Sequence, residues 1–160
     1  ELETAFQAFR VILTIGAAIG LGRSLERSGA AEWLADRLVS AASTVDMSEM
    51  ARAYLILAAI YVIAQVFTES ITNVAVATIM IPITVEVAEL GGYDPRPLII
   101  AVTIAASLSF VTPIGYQTNL MVMGPGGYFS RDYLKVGLPL AVLMTISALV
   151  LIPLIWPLIP

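Results

Sequence analysis

Phe67-Thr68-Glu69-Ser70-Ile71-Thr72-Asn73-Val74-Ala75 is the stretch on which the reading of this chain turns. Its polar centre, Glu69 to Asn73, ends one apolar run over residues 53–68 and opens another over residues 74–85. The pattern returns at Thr118-Asn119, after Thr112-Pro113-Ile114-Gly115-Tyr116-Gln117. Everything around the two breaks reads as helix embedded in a bilayer, so hydroxyl, amide and opened backbone groups are placed at membrane depth. Lipid tolerates opened backbone only where protein or a watery cavity surrounds it. A polar solute site inside a membrane is built in this way.

Composition agrees. Of 160 residues, 59% are hydrophobic and 12% charged, and mean hydropathy is +0.91; soluble domains carry roughly a quarter of charged residues. The class is a polytopic α-helical membrane protein, with the lipid bilayer as its surroundings. Cysteine and histidine are both absent, which removes disulfides, thiolate chemistry and the commonest general base and metal ligand. A net charge of -4 without a basic run argues against nucleic acid and against a polybasic lipid-binding patch. An intramembrane hydrolase is poorly supported, because Asp46, Asp94 and Asp132 all fall in predicted loops. No enzyme activity, catalytic residue or cofactor is expected. The chain opens on Glu1-Leu2-Glu3 with neither an initiator Met nor a secretory signal pattern, so it is expected to be a piece of a longer product.

Residues 1–160 read as one membrane-domain fragment in five parts. A span is predicted over 10–28, flanked by Arg10 and Arg23, with Gly16 and Gly20 spaced for close helix packing. Over 30–43, Trp33, Leu34, Leu38 and Val39 recur at helical spacing opposite Glu32, Asp36 and Arg37, which predicts a helix lying in the interface. A hairpin is predicted over 52–90. Its apolar arms, 53–68 and 74–85, reach about 24 and 18 Å at ~1.5 Å per residue, and Pro82 disturbs the second. A hydrocarbon core is about 30 Å thick, so the arms suit a re-entrant hairpin; two full spans joined by an exposed turn are the competing arrangement. A broken helix is predicted over 97–124, helical to 111, opened over 112–119 and resumed as a stub at 120–123. Pro113 pushes the residue before it out of helical geometry, and Gly115 weakens a helix by about 1 kcal/mol relative to Ala. The last span is 136–159, with Pro139, Pro153 and Pro157 near its ends or at kinks and Trp156 at an interface.

Thr and Asn are favourable N-caps, and both Thr-Asn pairs are predicted to stand immediately before a helix. A helix starting there presents free N–H groups and about half a unit of positive charge, which attracts anions. The preceding helix ends in unpaired carbonyls, hard ligands for a small cation such as Na+. Two broken elements of this kind make an anion-plus-cation site without charged side chains. The alternative is that Asn73 and Asn119 only satisfy kinked backbone or join helices. Glu69 is the one acidic residue near mid-membrane, at an insertion cost on the order of 2.5–3.5 kcal/mol. It is expected to be partnered or protonated, either coupling a proton or cation or, the favoured reading, supporting the hairpin through nearby polar groups. Gln65 is expected to make a helix–helix hydrogen bond, and Ser107 and Ser109 to supply hydroxyls or to pack as small residues.

Phe67 to Ala75, with Pro82 beyond, is similar to the hairpin signature of the divalent anion/sodium symporter family, sodium-coupled carriers of dicarboxylates, citrate or sulfate. Pro113-Ile114-Gly115-Tyr116-Gln117-Thr118-Asn119, followed by Gly124, resembles that family's unwound-helix signature, and the stretch from Arg10 to Glu26-Arg27-Ser28-Gly29-Ala30-Ala31-Glu32-Trp33 resembles its opening span. The resemblance covers nearly the whole chain but only the C-terminal half of such a transporter. It departs in two places. The frequent Ser-Asn-Thr reads Thr72-Asn73-Val74, and the Thr-Pro-Pro-Asn of dicarboxylate carriers reads Tyr116-Gln117-Thr118-Asn119. The Gly-Tyr-Gln-Thr-Asn and Gly-Pro-Gly-Gly-Tyr strings look more like the bacterial and algal branch linked to sulfate uptake.

The resemblance implies an all-α transmembrane fold: an inverted-repeat transporter half with a re-entrant helical hairpin and a discontinuous helix. It implies a secondary active transporter that carries a divalent oxyanion, sulfate or a dicarboxylate, with Na+ by alternating access. Thr72, Asn73, Thr118 and Asn119, with Gly115, Tyr116 and Gln117, would form the substrate site. Ser70, Ile71, Thr72 and Asn73, with Pro113, Ile114 and Gly115, would hold Na+, mainly through backbone carbonyls. The missing N-terminal half and a second copy in a homodimer are the expected partners, in the inner cell membrane. The rivals are an anion or arsenite-type channel or pump half, and a membrane interaction module that transports nothing.

Overall fold

Buried positions along residues 49–68 fall at Ala53, Ile56, Leu57, Ile60, Tyr61, Ala64 and Thr68, the three-and-four spacing of one helical face. The same logic orders the rest of the protein. The computed structural model describes residues 27–44 and 46–159, together with Phe9, Leu13, Gly16, Ala17, Gly20, Arg23 and Ser24. Among the described residues the elements are α1 (Ala30–Ser43), α2 (Glu49–Thr68), α3 (Asn73–Gly91), α4 (Pro95–Ala106), α5 (Gln117–Met123) and α6 (Ser130–Ile155). The span expected over 10–28 lies for the most part outside the described residues. Gly16 and Gly20 are described, and among the described residues a β-carbon on either would meet nothing within 4 Å.

The core sits where α2, α3 and α4 meet, built from Leu57, Ile60, Val76, Met80, Val87, Leu98 and Val102. Helix α1 lies on α3 and α2. It occupies the expected 30–43, and its seam against the other helices is made of small residues. Ala31, Ala35 and Ala42 are buried, Leu38 and Val39 half-buried, and Trp33 is exposed with the Arg37 guanidinium 5.4 Å from its ring centre. Small side chains let the two backbones approach, and the large indole is left to the surface. Helix α6 buries Gly137, Ala141, Ala148 and Ile152, packs against α4 and α2, and leaves Val136, Leu143, Ile146, Val150 and Leu154 exposed. A helix apolar on every face belongs in a membrane or a larger core.

The hairpin arms are longer than their apolar runs. The Ser48 hydroxyl accepts from Ala51 N and starts α2 before Arg52, while α3 continues through Pro82 to Gly91. Proline removes one donor and frees one carbonyl, which an otherwise continuous helix withstands. The arms hold 20 and 19 residues, or about 30 and 28 Å. Helices α2, α3 and α6 are each long and apolar enough to cross a membrane by length and composition.

The discontinuous helix differs from expectation at both ends of its break. Asp94 Oδ1 accepts from Arg96 N and, with Pro95 in the first turn, starts α4. Helix α4 then ends at Ala106, ahead of the expected 111, and α5 begins at Gln117, ahead of the expected 120. The backbone between them is taken up by the hairpin.

Candidate functional site

Between α2 and α3 the chain turns over residues 69–72. Ser70 N and Ile71 N both donate to Phe67 O at 3.0 Å, and Thr72 then caps α3, its Oγ1 accepting from Ala75 N at 3.3 Å. The cap chemistry expected of Thr72 is therefore present. Thr118 and Asn119 do not play that part. They lie inside α5, whose N-cap is Tyr116 without a side-chain hydrogen bond. Asn119 is turned instead towards the break, Nδ2 donating to Ser109 O at 3.1 Å and Thr112 O at 3.4 Å. The amide nitrogen thus serves two carbonyls opened by the break, a donor role distinct from the acceptor role of an N-cap.

The hairpin tip and the break are joined by a dense set of bonds. Both Glu69 carboxylate oxygens accept from backbone: Oε1 from Phe110 N and Val111 N at 3.0 Å, Oε2 from Val111 N at 3.1 Å and Thr112 N at 2.8 Å. Thr112 Oγ1 donates to Glu69 O at 2.5 Å and accepts from Gly115 N at 3.2 Å. Thr68, fully buried, donates to Ala106 O at 2.6 Å, and its Oγ1 lies 2.9 Å from Asn73 Oδ1. Ser109 Oγ donates to Thr68 O, and Gln65 Nε2 donates to Leu108 O. Burial at such a junction requires that opened backbone find partners. Here the partners are side chains of residues 65, 68, 69, 109, 112 and 119.

Two glycines permit the approach. A β-carbon on Gly115 would lie 2.5 Å from Thr68 O and 2.6 Å from Ser109 Oγ, and one on Gly137 would lie 2.0 Å from Phe110 O. The first lets the break lie against the hairpin tip, and the second lets α6 lie against the break.

A cleft of about 320 Å³ opens at this junction, lined by Thr72, Asn73, Val74, Gly115, Tyr116 and Gln117. Five residues predicted from sequence for a solute site thus line one space. Thr118 is exposed on α5 and does not line it. Asn119 lines a neighbouring cavity of about 340 Å³ with Phe110, Val122 and Tyr133. Val74 was not among the predicted residues; as an apolar residue in an apolar run it carries no signal. Tyr133, whose OH donates to Asn119 O at 2.8 Å, was also missed, because nothing local to it points to the break.

Of the positions predicted for a cation, Ser70 and Ile71 are exposed at the tip, Pro113 and Gly115 are buried, and Ile114 is exposed. The Thr72 carbonyl accepts from Val76 N at 3.0 Å in the first turn of α3. Among the described residues no group of three or more Asp, Glu, His or Cys gathers. The oxygen donors near the tip are carbonyls, hydroxyls and amides. Chemically the cleft offers neutral hydrogen-bond donors beside the N-terminus of α3, a combination that suits an anion.

Residues 4–160 match the family described as the sodium:sulfate symporter transmembrane region. The chain is 38% identical to an uncharacterized transporter of Synechocystis over 146 residues, which is 91% of this chain and 23% of that protein. It is 35% identical to sodium/sulfate cotransporter 1 of Chlamydomonas reinhardtii over 143 residues, 89% of this chain and 16% of that protein. Solute carrier family 13 member 2 of Rattus norvegicus is 28% identical over 129 residues, 81% of this chain and 21% of that protein. The chain spans about a quarter or less of the length of these curated relatives. A match of this extent, on a helical fold with three described helices long and apolar enough to cross a membrane, identifies the chain as a membrane-embedded member of the sodium:sulfate symporter family, a family of transporters.

Proposed function

We propose that the chain is a segment of a secondary active transporter that moves a divalent oxyanion, sulfate foremost, together with Na+ by alternating access. The observation that carries this reading is the cleft lined by Thr72, Asn73, Gly115, Tyr116 and Gln117 at the meeting of two helix breaks. Hydroxyl and amide groups there match the acceptor oxygens of a tetrahedral dianion, and the N-terminus of α3 offsets part of its charge. Na+ supplies the rest, held by carbonyls of Ser70, Ile71 and Thr72 and of Pro113, Ile114 and Gly115. Sulfate is favoured over dicarboxylates because relatives carrying the name sodium/sulfate cotransporter are among those matched.

The hairpin is re-entrant in this reading, despite arms long enough to span. Its tip is packed against the break through Thr68 and Glu69, as a tip enclosed by protein at membrane depth must be. An inverted-repeat partner half faces the cleft from the other side, and the exposed apolar faces of α6 meet lipid, that half or a second copy. The protein sits in the inner cell membrane as a homodimer.

The test is uptake of sulfate, succinate and citrate by the full-length parent protein in proteoliposomes, with and without a Na+ gradient. Saturable sulfate uptake that requires Na+ is expected. Flux that neither saturates nor responds to Na+ would mark a channel and overturn the reading.

A further inference from the structure

Three consecutive backbone N–H groups, those of Phe110, Val111 and Thr112, converge on the carboxylate of Glu69. A run of inward-pointing N–H groups forms a nest, a concavity that binds anions. Its occupant here is the chain's own side chain, reaching across from the hairpin tip. A carboxylate has about four acceptor positions, and the four N–H contacts take them up. Glu69 is half-buried and does not line the cleft. Its own carbonyl accepts from Thr112 Oγ1, and the carbonyl before it, that of Thr68, accepts from Ser109 Oγ. Five contacts therefore run between residue 69 and the break, and each one holds backbone.

We propose that Glu69 is the positioning residue of this transporter. Its carboxylate, seated in the nest, locks the hairpin tip and the break into one rigid body and so sets the separation of Thr72 and Asn73 from Gly115, Tyr116 and Gln117. It neither touches the transported anion nor ligates the coupling cation. The consequence for transport rests on the cleft being the solute site; the mechanical part stands without it. Glutamine at this position turns an NH2 group towards N–H donors, so acceptors are lost and a repulsion is added. Aspartate keeps the carboxylate but is one methylene too short to reach the nest without drawing in the tip.

Two readouts on the full-length protein test this. The first needs no substrate. Spin labels at Val66→Cys on α2 and Met121→Cys on α5, both well exposed, report the distance distribution between hairpin and broken helix. A narrow distribution is expected in the parent, a broad one in Glu69→Gln, and an intermediate one in Glu69→Asp. The second is sulfate uptake at matched membrane levels. Glu69→Gln is expected to raise the KM for sulfate about tenfold, the scale of losing charge-assisted hydrogen bonds, while half-saturation by Na+ moves no further than KM does. Formate is expected to restore part of the uptake of Glu69→Ala, because it refills the nest, and chloride to restore none. An unchanged distance distribution in Glu69→Gln overturns the proposal, as does a selective shift in Na+ half-saturation with KM intact, the mark of a cation ligand. Should Asn73→Ala transport sulfate normally while the distance result holds, the cleft assignment falls and the clamp remains.

Discussion

Gly115 lies against the carbonyl of Thr68, so close that a β-carbon on it would stand 2.5 Å from that oxygen. The contact joins the break between α4 and α5 to the last residue of α2 and forms one wall of the cleft. No residue other than glycine among those described has a positive φ, and Gly115 is not among the positive-φ glycines either. Alanine there is therefore excluded by space alone. Gly115→Ala is expected to lower sulfate uptake by about tenfold or more, since displacement of a site wall by an ångström is enough for such losses. Uptake at matched membrane level, with Gly115→Ser as a second variant that must fail likewise, checks it.

Asn119 donates from its amide nitrogen to Ser109 O and Thr112 O. Asn119→Asp replaces a donor facing two carbonyls with an acceptor. The apparent Tm of the solubilised full-length protein is expected to fall, by an amount equivalent to about 1–3 kcal/mol for the unpaired groups. Asn73→Asp, at the cleft, is expected instead to abolish anion uptake with a smaller loss of Tm. The pair of substitutions separates a residue that holds the break from one that faces the solute.

Thr68 is fully buried and donates to Ala106 O. Thr68→Val keeps the shape and removes the donor. The stranded carbonyl is expected to cost about 1–3 kcal/mol, read as a lower apparent Tm, whereas Thr68→Ser should retain most of the parent value.

Thr72 caps α3 through its hydroxyl. Thr72→Ala is expected to destabilise that helix start by about 1 kcal/mol and to weaken sulfate uptake, and Thr72→Ser to preserve both. Equal uptake in all three proteins would separate the cap from the site.

The contrast between the two Thr-Asn pairs marks what could be read without coordinates. Thr72 was legible because capping is local: the hydroxyl and the N–H it meets are three residues apart. Asn119 was not, because its carbonyl partners lie seven and ten residues back, across a break whose shape is set elsewhere. The end of α4 was missed for the same reason. Residues 107–111 are apolar enough to continue a helix, but Glu69, about forty positions earlier, takes the N–H groups of Phe110 and Val111. The start of α4 falls at Pro95, ahead of the expected 97, because Asp94 caps the helix and proline is favourable in a first turn. In α1 the helix and its bounds were legible from the period, while the seam of Ala31, Ala35 and Ala42 carried no hydropathy signal of its own. The residues gathered in the cleft were nonetheless read from sequence in five of six cases, because polar groups at a break in an apolar run have few other uses.

The most direct measurement is thiol labelling of Gln117→Cys in the full-length protein, with Thr118→Cys as its neighbour outside the cleft. This chain contains no cysteine of its own. Sulfate and Na+ added together are expected to slow labelling at Gln117→Cys severalfold while leaving Thr118→Cys unchanged, and either ion alone is expected to do less. Labelling of Gln117→Cys at one rate under all four conditions would contradict an anion site between the two breaks.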